Sequence, residues 1–562
     1  MRSKTALLAA ITLAASMAGP LGTSASAAGC ADTHLGNRTA AATGVPGTSS
    51  ASVRVFALQY RLDLAYVRSY ATFRHKMECL ILDYVKPNLS PTKPNIVVLN
   101  EDTGLPTLGI GTRGRAARTI ATLPVKDPQN LYGAIAAFAA VGASYTPQIA
   151  YYAAREPKTS AMRLILAAAT DTFVRGFMQT FSDLARTYHV FIVAANNQAE
   201  FREVRVAQHP AAAVLIDPNL AARYAAGKLS TVYEAVDSGG PGLANANKGD
   251  ASAGINVHNK AFMWSPNPGV EPYAAARFSR YALDGMLAAR DPRSNLIAMV
   301  KKTPITSIER SLLDLTDDND MTVENTGPFP LPGFNSSSDP LPAGVKIGIG
   351  ISLPAFEWGS AFGSAFTGDP CAQRETWMRC LDARGVTVFL QPEANPGCCW
   401  AGYIDSGWTP PAWQALSWMD SAWRAVADPS VVNIRYAVTA HMVGNLVDLA
   451  FDGQSVIFQR CIIGPGDRCS GNTPRSFVGA KDFIACPAAV NHCDDPHLAG
   501  YAGPKREAVV MAPWVLGDDP NLSPGANRDR LAARANAMLA GSGSPLENGY
   551  LETAVWADLD LS

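Results

Sequence analysis

Three apolar stretches of this 562-residue chain run straight into residues that can do acid–base or nucleophilic work. "NIVVLNEDTG" leads to Glu101 and Asp102, "SNLIAMVKKTPIT" to Lys301 and Lys302, and "VKIGIGISLPAF" to Ser352. Glu309 follows Lys302 by seven residues in "SIE". A hydroxyl at such a station can attack an electrophilic carbon and form a covalent intermediate. A glutamate can take the nucleophile's proton and later activate water. A lysine ammonium stabilises an oxyanion as it develops, and a second carboxylate nearby keeps that lysine charged. Each residue also has a plain reading. Glu101 then caps a loop, Lys301 and Lys302 are a solvated pair, and Ser352 is a small residue in a tight turn.

The elements that must position these residues read as strands and helices in alternation. "SVRVFALQYRL" is an apolar strand, and "YVRSYATFRHKMECLILDYVKPN" carries helical periodicity up to Pro87. "KPNIVVLN" completes a strand–helix–strand unit, with its carboxylates at the carboxyl end, where open α/β sheets place their chemistry. The alanine-rich stretch 107–170 reads as helical, "TFVRGFMQTFSDLARTY" as an amphipathic helix, and "HVFIVAANNQ" and "GINVHNKAFMWSPNPG" as strands. In "VKIGIGIS", Val345, Ile347, Ile349 and Ile351 alternate with Lys346 and glycines, as a half-bare buried strand does. "GVTVFLQPEANPG", a tryptophan-rich helix near 412–427, "VVNIRYAVTAHMVGNLVD" and "FDGQSVIF" follow. Residues 236–253 and 316–343 are rich in turn formers and read as loops.

In this order the stretches resemble the nitrilase, or carbon–nitrogen hydrolase, superfamily over about residues 52–460. "NIVVLNEDTG" is similar to its glutamate motif, "VKKTPITSIE" to its lysine motif, and "VKIGIGISLPAF" to its nucleophile motif. The resemblance implies an α/β fold of αββα sandwich type. It also implies a catalytic set of Glu101, Lys302, Glu309 and Ser352, acting on a small-molecule amide or nitrile without a cofactor. Lys302 rather than Lys301 fits the motif's spacing to Ile305 and Glu309. The family often pairs subunits through its sandwich faces, so a homo-oligomer is compatible with it.

The chain departs from the family at the nucleophile. Ser352 stands where the family has cysteine, and Leu353 and Pro354 where an aromatic and an aspartate are common. A thiol ionises readily beside a base, whereas a serine hydroxyl needs a well-placed one. Two alternatives follow: a catalytically impaired binding protein on the same frame, or a serine esterase of α/β-hydrolase type, since "GISLP" is one glycine short of a nucleophile elbow. Cys398 and Cys399, with Glu393 beside them in "PEANPGCCW", are candidates for a displaced thiol.

Composition bounds the rest. Apolar residues make up 48% and charged residues 17%, with a formal net charge of −1. That balance fits a well-buried protein and gives no general attraction to nucleic acid. Residues 1–28 read as a signal peptide, with Arg2 and Lys4 before an apolar run and small residues at the cleavage site. The run is short for a membrane span. A secreted protein is therefore expected, with Cys30 a minor candidate for lipid attachment. Residues 29–51 read as a linker and 461–562 as a disulfide-bearing mixed extension. Ten cysteines fit an oxidising compartment, with Cys371–Cys380, Cys461–Cys469 and Cys486–Cys493 as close pairs.

Overall fold

The computed structural model describes residues 29–34, 38–47, 52–121, 132–236, 254–267, 282–283, 287–329, 331, 344–361, 363–394, 414–447, 449–452, 455–460, 508–512 and 551–561. Two sheets lie face to face, each covered on its outer side by helices. The first contains β1 (Arg38–Thr39), β2 (Thr43–Val45), β3 (Val53–Gln59), β4 (Asn95–Val98), β5 (Phe191–Arg205), β6 (Thr231–Val236), β7 (Val257–Trp264) and β8 (Leu296–Lys301). The second contains β9 (Ile347–Ile349), β10 (Val388–Glu393), β11 (Tyr436–His441), β14 (Val456–Gln459) and β15 (Ala508–Met511). The hairpin of β12 (Val443–Leu446) and β13 (Leu449–Asp452) stands apart. A last strand, β16 (Leu551–Leu559), pairs antiparallel with β3 and joins the first sheet.

The layering follows from side-chain alternation, since successive residues of a strand face opposite ways. In the first sheet Val55, Ala57, Ile96, Val98 and Val193 share one core with Ile347, Ile349 and Leu390 of the second sheet. The intervening Phe56, Leu58, Val97 and Ile192 face outward onto the helices Tyr70–Leu80 and Gln179–Tyr188 through Phe73, Met77 and Phe181. The helices Trp377–Ala383 and Gln414–Ala427 pack on the second sheet through Trp377, Leu381 and Ala422. The order is helix, sheet, sheet, helix: an αββα sandwich.

The strands that matter for chemistry run the same way. β3, β4 and β5 are parallel, and β8 returns to that direction through the antiparallel β7. β9, β10 and β11 are parallel to one another. A parallel bridge between Tyr60 and Met442, one residue beyond β3 and β11, ties the carboxyl edges of the two sheets together.

The chain ends are more deeply built in than linker and extension imply. β1 and β2 arise within 29–51 and pair with β16, and β15 and β16 arise within 461–562. Fully buried Lys76 and Glu552 meet at 2.6 Å, fixing β16 to the first helix. Cys371–Cys380 forms as the spacing suggests. Cys30 joins Cys79 instead of standing free, so its sulfur cannot carry a lipid. Cys398, Cys399, Cys461, Cys469, Cys486 and Cys493 lie outside the described residues. Among the described residues no helix is long and apolar enough to cross a membrane. The two face-to-face sheets also differ from the single doubly wound sheet that an α/β-hydrolase elbow requires.

Candidate active site

The carboxyl ends of β4, β8, β9 and β10 converge on one buried polar cluster. β4 carries the chain to Glu101, and Lys302 follows β8 directly. Lys302 Nζ donates to Glu101 Oε1 at 2.7 Å and pairs with Glu309 Oε2 at 2.9 Å. Glu309 is held by a capping box: the Thr306 amide and hydroxyl both donate to its Oε2 at 2.8 Å, at the start of the short helix Ser307–Ser311. Asn259 on β7 closes the group, its Nδ2 donating to Glu101 at 2.6 Å and to Glu309 at 2.7 Å.

Lys301 and Lys302, adjacent in sequence, part company here. Lys301 Nζ donates to Asp318 at 2.8 Å and pairs with Asp320 at 3.2 Å, away from Glu101. Neighbours on an extended chain point to opposite sides, so only one of two consecutive lysines can reach the cluster.

Electrostatics sorts the carboxylates. Burial pushes the Glu101 carboxyl up to about 8, against the pull of Lys302. Burial also acts against Glu309, but Lys302, Asn259 and the Thr306 amide together hold its pKa below the usual carboxylate range. Burial would lower Lys302, yet the two glutamates outweigh it and keep the ammonium charged above the ordinary lysine value. Asp102, burdened by burial and by Glu309, rises to about 6, and Asn197 Nδ2 donates to it at 2.8 Å.

Ser352 lies at the end of β9, 2% exposed, with φ 57° and ψ −111°. A non-glycine residue in that region carries roughly 1–3 kcal/mol of strain and is found where a side chain must be aimed. It precedes the single turn Leu353–Phe356, and its hydroxyl makes no capping bond there. The side chain faces Glu393 at the end of β10, favouring that carboxylate's charged form. Glu393 Oε2 has no hydrogen-bond partner among the described residues. The link to Glu101 runs through the next residue, whose amide, Ala394 N, donates to Glu101 Oε2 at 3.2 Å.

Asn259 is a site residue that the sequence does not single out, and Glu393, noted in the sequence only beside Cys398 and Cys399, takes its place here by Ser352. Asn259 sits mid-strand in "NVHNKAF", and a polar residue in a wholly buried strand was the available signal. His441, on β11, is fully buried with both ring nitrogens unpartnered among the described residues. It makes no bond to Ser352.

No family model matches the chain, and no curated protein matches it. Among solved structures, it is similar to a cysteine-to-serine variant of an amidase from Nesterenkonia sp., described as from the nitrilase superfamily. That match has 11% identity and a TM-score of 0.32, covering 74% of this chain and 86% of that one. A carbon-nitrogen hydrolase from Helicobacter pylori matches at 11% identity and a TM-score of 0.32, over 73% of this chain and 82% of that one. At such values the likeness adds no argument to the layers and strand order described above. By these comparisons the chain is similar to a nitrilase-superfamily amidase and to a carbon-nitrogen hydrolase.

Proposed function

We propose that the protein is a secreted hydrolase of carbon–nitrogen bonds, acting on a small non-peptide amide or nitrile through a covalent intermediate on Ser352. The observation that carries this reading is the buried Glu101–Lys302–Glu309 cluster beside a serine held at positive φ. Burying three ionisable groups is costly, and hydrophobic residues of similar volume often stabilise a fold as well or better. A fold that keeps them has a use for them.

In the amide reaction, Ser352 Oγ attacks the carbonyl carbon and its proton passes to a carboxylate of the cluster. The Lys302 ammonium stabilises the oxyanion in a site shielded from water. The C–N bond breaks and the amine leaves with a proton, giving an ester on Ser352. Water, deprotonated by the same carboxylate, then releases the acid. Two disulfides and the basic, then apolar, N-terminal run support export.

The test is ammonia or amine release from a panel of amides and nitriles by wild type, Ser352→Ala and Ser352→Cys. Loss in alanine with retention in cysteine supports the serine hydrolase. Activity indifferent to Ser352 overturns it. A silent wild type with an active Ser352→Cys makes the natural protein a binder on an intact frame.

A further inference from the structure

One carboxyl in the cluster is not used by the glutamate–lysine–serine scheme. Glu393 ends β10 with no exposed surface. Gln391 Nε2 donates to its Oε1 at 2.6 Å and to Ser421 at 2.9 Å, so one oxygen is fixed from two residues back on the same strand. The other oxygen, Oε2, has no partner among the described residues, and Ser352 faces the carboxyl. The charged groups around it are Glu101 after β4 and Lys302 after β8. His441 on β11 is its partner in register. Two residues earlier in that register, Thr439 reaches Gln391 at 3.4 Å, so side chains on this face meet across the two strands. His441 carries no charge to offset Glu393, because burial pushes it down to about 3. Burial first, then the charge of Glu101, drives Glu393 well above the carboxylate range, against the opposing pull of Gln391, Lys302 and Ser352.

Two buried carboxyls with one lysine already engaged by Glu309 cannot both ionise cheaply. Glu101 accepts from Lys302, Asn259 and the Ala394 amide, three donors that favour its charge. Glu393 accepts from one side-chain amide. Glu101 is therefore the first of the two to lose its proton.

We propose that Glu393 is a further catalytic residue of this site, the acid that protonates the departing nitrogen. The proposal rests on Ser352 being the nucleophile. During acylation the Oγ–C bond forms, and the Ser352 proton goes to ionised Glu101 while Lys302 holds the oxyanion. The C–N bond then breaks and the nitrogen takes the Glu393 proton with its electron pair. The two carboxyls have gained one proton and given one, so the pair still holds a single proton between them. In deacylation, water gives a proton to the ionised carboxylate as its oxygen bonds to carbon. The C–Oγ bond breaks and Ser352 takes a proton back from the pair.

The experiment compares two acetyl donors that differ in leaving group, p-nitroacetanilide and p-nitrophenyl acetate, by kcat/KM. The anilide nitrogen must be protonated to leave, whereas nitrophenolate departs without a proton. Glu393→Gln keeps the shape of a neutral acid but has no such proton to give. It is expected to lower anilide hydrolysis about 10²-fold more than ester hydrolysis. Equal losses on the two probes would overturn the proposal. A second readout needs no turnover: the infrared carbonyl band of a protonated buried carboxyl, recorded above the Glu101 midpoint of about 8, where Glu101 is mostly ionised, present in wild type and missing in Glu393→Gln. Absence of that band in the wild-type protein would also overturn it. Ser352→Ala separates the two readings. If hydrolysis of both probes survives it, the serine reading falls and takes the proposal with it; if hydrolysis depends on Ser352 and the Glu393 tests fail, the proposal falls alone.

Discussion

Turnover should track the ionisation of Glu101, and the structure sets where that happens. With its carboxyl at about 8, Glu101 is the working base only in its deprotonated fraction. That fraction is roughly 1% at pH 6, about 9% at pH 7 and about half at pH 8, by simple titration about that midpoint. The kcat/KM for p-nitrophenyl acetate should therefore rise about tenfold from pH 6 to 7 and about fivefold from pH 7 to 8, then level off. The background measured with Ser352→Ala is subtracted at each pH, and Glu101→Gln should be both slower and flat. Lys302 stays charged across this range, so its ionisation does not shape the curve. With p-nitroacetanilide a falling limb should appear at higher pH, where Glu393 surrenders its proton. Stability should move the opposite way. A carboxyl raised above its unfolded value of 4.5 contributes fully below that pH and loses its contribution as pH climbs through about 8. A profile already flat above pH 6 would refute the reasoning, because Glu101 would then be ionising like an ordinary exposed carboxylate.

Three further outcomes are expected. Lys302→Met should cut Ser352-dependent turnover by about 10²–10³-fold, the usual cost of losing an oxyanion stabiliser, while Lys301→Met should change it less than about threefold; steady-state kinetics on both decide whether adjacent lysines truly divide the labour. Glu552→Gln leaves Lys76 buried without its partner and should cost about 3–5 kcal/mol in urea unfolding. Glu552 is held below the usual carboxylate range, chiefly by Lys76 against burial, so the gap between wild type and variant should narrow as pH falls below about 4.5; a constant gap would contradict the pairing. Removing Cys30–Cys79, which spans 49 residues, should cost about 4 kcal/mol, against about 3 for Cys371–Cys380, which spans 9; equal losses in chemical unfolding would count against loop closure as the source.

By itself the sequence determined the strand ends that carry Glu101, Lys302 and Ser352, because apolar alternation is local and each reactive residue directly follows its run. Glu309 is reached through its likeness to the family's lysine motif, and the structure seats it in the Thr306-x-x-Glu309 capping box. The tertiary structure decided which groups these residues meet. That β16 enters the first sheet beside β3, almost five hundred residues away, depends on pairing across the whole chain. The bond from Cys30 to Cys79, the bridging amide of Asn259 and the placing of Glu393 by Ser352 depend on register between distant strands. Local periodicity says that a side chain faces inward; only the packed sheets say what it faces.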